Sequence, residues 1–382
     1  MLFISHSREV GGAEVYLENL LRHLAVQREG FRWQPQLVCR RDQALDAWLA
    51  EIATFCEVYR LDVVRPQDTM RLAKLVRQAA LVHLNLSFPA GKYQFASALL
   101  TRLLGRPLVV THHLALKVGF PWHQAMQWLG VAARRHIAVS RRSRSVLIEE
   151  FGYPSDRVVV VHNGIDAKRF RPATEAARKA LRREGGVALD GQPWGDDALI
   201  ACTVARLSSQ KGLFELVEAT ELVVKEMPAA RFVVIGEGNL HRRLADDARA
   251  RGLQHHFFLL GALPRQQVAE WLAAADLFIL PSRYEGGPAT ALMEAMASGC
   301  AVVTTDVSGV GELIDDPSLG RIVPPQQVAA LAKATVDLFS NPSARTRMGE
   351  HARNKVIANF TIDACLQRTV QVFEEVLAGT HA

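Results

Sequence analysis

The chain has 382 residues and a mass of 42.2 kDa, with 49% hydrophobic residues, 22% charged residues and a formal net charge of +6. That length exceeds one ordinary core and suggests about two domains of roughly 150 residues, while the composition excludes disordered, collagen-like and coiled-coil chains. No uncharged apolar run reaches the ~18 residues of a spanning helix, no signal peptide is visible at the N-terminus, and five scattered cysteines without a C-x-x-C pair argue against a disulfide framework and for a reducing cytoplasm.

Short apolar, β-branched runs alternate with helical patterns. In the first half strands are expected at Leu2–Ser5, Gln36–Cys39, Leu81–Leu86, Leu108–His112, His136–Ser140 and Val158–His162. Leu17, Leu20, Leu21 and Leu24 mark a helix after the first of them. From Asp166 to Asp197 the alternation pauses. Arg171-Pro172, a charged segment, Gly185-Gly186 and a second Gly/Pro cluster near Gly191 read as a linker followed by an edge loop. Strands resume at Leu199–Ala205, Arg231–Ile235, Phe257–Leu260, Leu277–Leu280 and Ala301–Thr305, and an amphipathic helix over Thr361–Leu377 follows. Continuous apolar strands are buried on both faces, as in parallel sheets covered by helices. The expected fold class is therefore α/β, with two doubly wound halves.

The charge is uneven. Residues 1–172 hold 24 Lys and Arg against 14 Asp and Glu, and no acid lies between Asp68 and Glu149, where 12 Lys and Arg occur. An anionic partner for the first half is one reading, and a merely solvated basic face is the other.

Ligands of open parallel sheets sit outside the carboxyl ends of the strands, so the segments there carry the candidates. Gly11-Gly12-Ala13-Glu14 suits a phosphate at a helix N-terminus, or is a simple tight turn. His112 and His113 end the Leu108 strand; His112 is expected to be structural and His113 to meet a ligand. No acid nearby completes a metal site. Arg206 and Lys211, five residues apart on a loop, suit a diphosphate, the alternative being two solvated charges. Pro281–Gly299 holds Glu285 in a loop and Glu294 on a helix that Gly286, Gly287 and Pro288 are expected to open and Gly299 to close. Carboxylates so placed accept hydrogen bonds from sugar hydroxyls, and as a pair they also invite a glycoside-hydrolase reading.

Taken in order, GGAE (11–14), VVTHH (109–113), HIAVS (136–140), VVHNGID (160–166), RLSSQKG (206–212), FVVIGEG (232–238) and PSRYEGG with EAMASGCAVVTTDVSGVGELI (281–314) span nearly the whole chain. In these segments it resembles the retaining, nucleotide-sugar-dependent glycosyltransferases of the GT-B fold, the glycogen-synthase-like and mannosyltransferase-like bacterial group. The resemblance implies two Rossmann-like domains facing a cleft: an acceptor domain at 1–165, a donor domain at 166–358, and a terminal helix at 359–382 crossing back to the first. It implies that Gly12 lies near the donor phosphates and His113 touches the transferring sugar. Arg206 and Lys211 would hold the diphosphate, Glu285 the sugar and Glu294 the ribose. Gly236, Gly261, Gly286 and Gly287 would frame the nucleotide. Two departures stand out. Ala205 replaces a usual glycine, and Glu285 and Glu294 are one residue further apart than the family's pair. The extra residue is either absorbed in the Gly-Gly-Pro loop or displaces Glu285.

The implied reaction moves a hexose from a nucleotide-diphosphate sugar to a hydroxyl acceptor with retention, in polysaccharide, glycolipid or glycoconjugate synthesis. No cofactor is expected beyond the nucleotide sugar, which is a co-substrate. No Asp-x-Asp pair occurs, so no metal is expected. The alternative is a non-transferring enzyme on the same scaffold, such as a nucleotide-sugar epimerase. No nucleic-acid module is visible. The acid-free stretch with Phe120, Trp122 and Trp128 in one loop points to a cytoplasmic protein docking peripherally on the inner membrane, acting on a lipid-linked or otherwise anionic acceptor. The other reading is a soluble acceptor, with the aromatics in the core.

Overall fold

The computed structural model describes residues 1–25, 34–89, 91–191, 193–285 and 287–379. The chain forms two compact α/β units, Met1–Gly164 with Asp363–Ala382, and Ile165–Ile362.

The first unit is built on seven strands: β1 (Leu2–Ser5), β2 (Gln36–Cys39), β3 (Glu57–Arg60), β4 (Val82–Leu86), β5 (Leu108–His112), β6 (Arg135–Ala138) and β7 (Val158–Val160). They lie in the order β3-β2-β1-β4-β5-β6-β7, every pair parallel. β1, β4 and β5 are buried along their whole length, as continuous apolar strands covered on both faces must be. The helix Ile362–Ala378 belongs to this unit. Its fully buried Phe373 meets Phe3 and His83 edge-on, at centroid distances of 6.1 and 5.3 Å, and Thr369 Oγ1 lies 3.0 Å from the Tyr16 hydroxyl.

The second unit carries β8 (Leu199–Val204), β9 (Ala230–Ile235), β10 (Phe257–Leu259), β11 (Leu277–Leu280), β12 (Ala301–Thr305) and β13 (Arg321–Val323), in the order β10-β9-β8-β11-β12-β13, again all parallel. Two strands were not anticipated, β3 and β13. Each is an edge strand with exposed residues, so neither carries the buried apolar run that marks the others.

The linker expected between Asp166 and Asp197 is instead largely a helix, Glu175–Asp190. Thr174 caps its start by accepting from the Ala177 N–H, and Gly191 closes it in the left-handed conformation at φ 76°. The Gly185-Gly186 pair, which suggested a loop, is buried within the helix. A Cβ on Gly185 would stand 2.6 Å from the Trp271 ring, so the missing side chain lets the helix pack flat on the indole. Trp271 is itself buried against Trp194. Gly185→Val is expected to overpack this contact by about 2 kcal/mol. That lowers the melting temperature of the second unit by about 5 °C. An unchanged melting curve would refute the packing role.

Candidate active site

At the switch point of a doubly wound sheet, two neighbouring strands send their connections to opposite sides and a crevice opens at their carboxyl ends. In the second unit these strands are β8 and β11. β8 runs into Ala205–Gly212, with Arg206 exposed and Lys211 in the 3-10 turn Ser209–Lys211. β11 runs into the loop that begins at Pro281. The two loops meet: Lys211 Nζ lies 2.5 Å from Glu285 Oε1, and Ser282 Oγ donates to the same oxygen at 2.6 Å. The pair is largely buried, Lys211 at 17% side-chain exposure and Glu285 at 8%. Bonds to backbone carbonyls hold this geometry, the Arg283 N–H donating to Gln210 O at 2.8 Å and Thr305 Oγ1 to Ser282 O at 2.5 Å. Beside it Arg283 pairs with Glu215 at 2.7 Å.

Glu294 lies on the helix Thr290–Ala297, buried, and accepts from the Arg265 guanidinium at 2.7 Å. Burial pushes its carboxyl up to about 7, against the opposing charges of Arg265 and Arg169. Each glutamate thus has its own cation, Glu285 with Lys211 and Glu294 with Arg265. The helix starts at Thr290, later than the glycines expected to open it, and no side chain caps it. Its first-turn N–H groups suit an anion. Gly286 lies outside the described residues. Gly287 is buried, packed so closely on Gly309 that a Cβ on the latter would stand 2.2 Å from the Gly287 carbonyl carbon.

The Ala205 departure is accommodated by its neighbour. Gly236 sits at φ 139°, and a Cβ on it would stand 2.0 Å from the Ala205 carbonyl oxygen, so Gly236 provides the close approach. The turn is tied down by the Gly236 N–H donating to Gly261 O and the Leu207 N–H to Glu237 O, both at 2.8 Å.

In the first unit the switch point lies between β1 and β4. Gly12 is the exposed first residue of the helix Gly12–Ala25. Glu14 is buried, accepts from the Gly11 N–H at 3.0 Å and receives the Ser87 hydroxyl at 2.7 Å. The Gly11 N–H is therefore already taken. His113 Nε2 lies 2.8 Å from Asn85 Oδ1, and Asn85 Nδ2 donates to Ala13 O at 3.3 Å. That bond turns the amide oxygen towards His113, so Nε2 must carry the proton and Nδ1 the lone pair. Burial pushes the imidazole down to about 3, keeping it neutral, and Nδ1 is buried with no hydrogen-bond partner among the described residues. His113 is thus ready to accept from a hydroxyl. His112 is structural: its Nε2 lies 3.1 Å from His136 Nδ1, whose other nitrogen meets Gly130 O at 3.2 Å.

Phe120 is 84% exposed and Trp122 37%. The three do not share one loop: Phe120 precedes the helix Trp122–Ala132 and Trp122 opens it, whereas Trp128 is further along and packs on Phe95 at 5.0 Å. Asn85, Glu14, Ser282 and Arg265 were not anticipated. Glu14 and Ser282 lie within segments that the sequence marks without a role of their own, and Asn85 shows itself as a polar residue inside the buried run of β4.

Comparison with known proteins bears on both units. The model of Glycosyltransferase Family 4 matches residues 10–169 and that of Glycosyl transferases group 1 matches residues 190–355. The chain is 27% identical over 300 residues to the alpha-D-kanosaminyltransferase of Streptomyces kanamyceticus, covering 75% of each. It is 30% identical over 221 residues to the GDP-mannose-dependent monoacylated alpha-(1-6)-phosphatidylinositol monomannoside mannosyltransferase of Corynebacterium glutamicum, covering 56% of this chain and 55% of that protein. The chain spans from about half to three quarters of the length of these curated relatives. Among solved structures, Anabaena HepE in complex with UDP superposes with a TM-score of 0.83 at 20% identity, covering 98% of this chain and 99% of that one. At that identity the likeness shows the fold.

Proposed function

We propose that this chain, which belongs to the family 4 and group 1 glycosyltransferases of the GT-B fold, moves a hexose from a nucleotide-diphosphate sugar to a hydroxyl acceptor with retention of configuration. The observation that carries this reading is the Lys211–Glu285 pair at the β8/β11 switch point. An ammonium has three donors. Glu285 takes one, leaving others for diphosphate oxygens, with Arg206 on the same loop as a second cation. The uncapped helix at Thr290 adds N–H groups. Glu285 is assigned to the sugar and Glu294 to the ribose hydroxyls. The glycines at 236, 261 and 287 are assigned to the nucleotide, and Gly12 to its phosphates. His113 Nδ1 accepts from a hydroxyl of the transferring sugar.

In the reaction the acceptor oxygen bonds to the anomeric carbon on the face from which the diphosphate departs. The bond from that carbon to the diphosphate oxygen breaks, and the acceptor proton passes to the departing phosphate. Negative charge grows on the diphosphate, where preorganised cations are most effective. No divalent ion is assigned to the step, since Arg206 and Lys211 supply the charge. The acceptor is assigned to the first unit, in the cytoplasm at the inner membrane, where exposed Phe120 and Trp122 and the acid-free stretch suit an anionic bilayer. Relatives such as the phosphatidylinositol monomannoside mannosyltransferase support a lipid-linked acceptor.

The test is product analysis with a panel of nucleotide hexoses and hydroxyl acceptors, in excess EDTA. The expected product keeps the anomeric configuration of the donor and forms at the rate seen with added Mg²⁺. An inverted anomer refutes retention, and complete loss in EDTA restored by a divalent ion refutes metal independence. Turnover of the sugar without an acceptor would instead support an epimerase.

A further inference from the structure

Three neighbouring strands of the first unit, β2, β1 and β4, end beside one another and bring a second group of polar residues together. Arg40 follows β2, and its guanidinium lies over the Tyr93 ring at 4.2 Å. Lys92 opens the helix Lys92–Leu103 after β4, and its ammonium lies 4.9 Å from the same ring. His6 follows β1, with its ring 5.9 Å from that of Tyr93.

The cations on this edge fall into two kinds. Arg41 is paired with Asp68 at 3.0 Å and Arg60 with Asp46 at 2.6 Å. Arg40 and Lys92 have no carboxylate partner among the described residues, and share one aromatic ring instead. Two like charges held on one ring repel each other, and a shared anion reverses that cost. The first turn of the helix at Lys92 has no acidic residue, so its dipole adds to the positive field. His6 is 5% exposed, and its Nε2 lies 2.9 Å from Ser97 Oγ, while its Nδ1 is buried without a partner among the described residues. The Ser97 contact fits either tautomer; where the Ser97 hydroxyl donates to Nε2, neutral His6 carries its one N–H on Nδ1, the form that a phosphate oxygen would select. A buried donor left unsatisfied is costly, and an acceptor oxygen would relieve it.

We propose that His6, Arg40, Lys92 and Tyr93 form a subsite for a phosphate group carried by the acceptor. This deepens the preceding reading, on which it rests for the identity of the acceptor but not for the anion itself. Arg40 supplies a planar fork and Lys92 a mobile point charge, while the Tyr93 ring fixes both before the anion arrives. The phosphate is either that of a soluble sugar phosphate or the headgroup of a lipid.

The experiment measures thermal stabilisation of the whole chain by inorganic phosphate at constant ionic strength. The forms compared are the parent, Arg40→Gln/Lys92→Gln and Lys211→Ala, the last removing the donor-side cation. Phosphate is expected to stabilise the parent and Lys211→Ala alike. In the double variant it should bind about a hundredfold more weakly, roughly tenfold for each charge-assisted hydrogen bond removed. UDP is titrated in parallel and should stabilise the double variant as it does the parent, which also shows that the variant is folded. Equal phosphate response in parent and double variant overturns the subsite. So does a response lost in Lys211→Ala and kept in the double variant, since all phosphate then binds at the donor side. Where UDP has no effect in the parent, GDP and ADP take its place; absence of an effect from all three would count against the donor reading and leave the phosphate result standing. Co-sedimentation with phosphatidylglycerol vesicles, against phosphatidylcholine alone, separates the two sources. Binding that falls in the double variant indicates a lipid headgroup, and a phosphate response without vesicle binding indicates a soluble acceptor.

Discussion

Lys211→Ala is expected to remain folded and to lose about 100- to 1,000-fold in transfer rate, the range seen when one preorganised donor is removed from a developing oxyanion. The fall should lie in kcat rather than in donor KM, because charge accumulates on the diphosphate as the anomeric bond breaks. The variant also leaves Glu285 buried without its 2.5 Å partner, with only the Ser282 hydroxyl still donating. Breaking a fully buried pair costs about 3–5 kcal/mol. Lys211 keeps 17% exposure, so we expect about 2 kcal/mol, screened by the water it already meets. Stability and catalysis can therefore be separated. Lys211→Ala/Glu285→Gln removes the stranded charge and should recover most of the melting temperature while staying inactive. Recovery of both together would reduce Lys211 to a structural role and remove the main support for the donor assignment.

Glu294 should make donor binding depend on pH. Its carboxyl is pushed up to about 7 by burial. Above that pH it is a carboxylate beside Arg265, with lone pairs for two ribose hydroxyls. Below it, one oxygen carries a proton and an acceptor is lost. Donor KM should therefore rise as pH falls from about 8 to about 6, most steeply near the shifted pKa. Stability runs the other way. The folded-state pKa lies above the ordinary 4.5, so between the two values the folded chain holds a proton that the unfolded chain does not. The contribution is complete below about 4.5 and disappears as pH rises through about 7. Glu294→Gln should flatten both profiles and raise donor KM about 10- to 100-fold, the worth of hydrogen bonds to a charged acceptor. A donor KM in Glu294→Gln equal to the parent's at pH 8 would show that the carboxylate does not touch the donor.

Strands buried on both faces were legible because an apolar run needs no partner to be recognised. Glu57–Arg60 and Arg321–Val323 were not, because an edge strand is defined by the neighbour it pairs with rather than by its own residues. The helix Glu175–Asp190 was hidden by Gly185-Gly186. Glycine is a poor helix former, and only the Trp271 ring, far along the chain, explains its presence. The candidate residues were found by what ends each strand. Their partners were found only in three dimensions: Lys211 meets Glu285 across 74 positions, and Arg265 meets Glu294 across 29. The proton position on His113 was beyond the sequence altogether. It follows from Asn85, whose amide is oriented by a carbonyl in the first helix.

The helix Ile362–Ala378 has a consequence for how the protein is made. The first unit is discontinuous, since its core includes Phe373 and Tyr16 is joined to Thr369. On the ribosome, residues 1–164 emerge long before this helix, and the whole of Ile165–Ile362 is translated in between. The nascent first half must wait with the surface around Phe3 and His83 uncovered, open to chaperones or to premature association. The second unit has no such delay. Its ends are stitched together by the Ile165 N–H donating to Phe360 O at 2.8 Å and the Ile362 N–H to Ile165 O at 3.0 Å. It is an inserted cassette whose core closes within one continuous stretch of chain and needs no later segment to cover it.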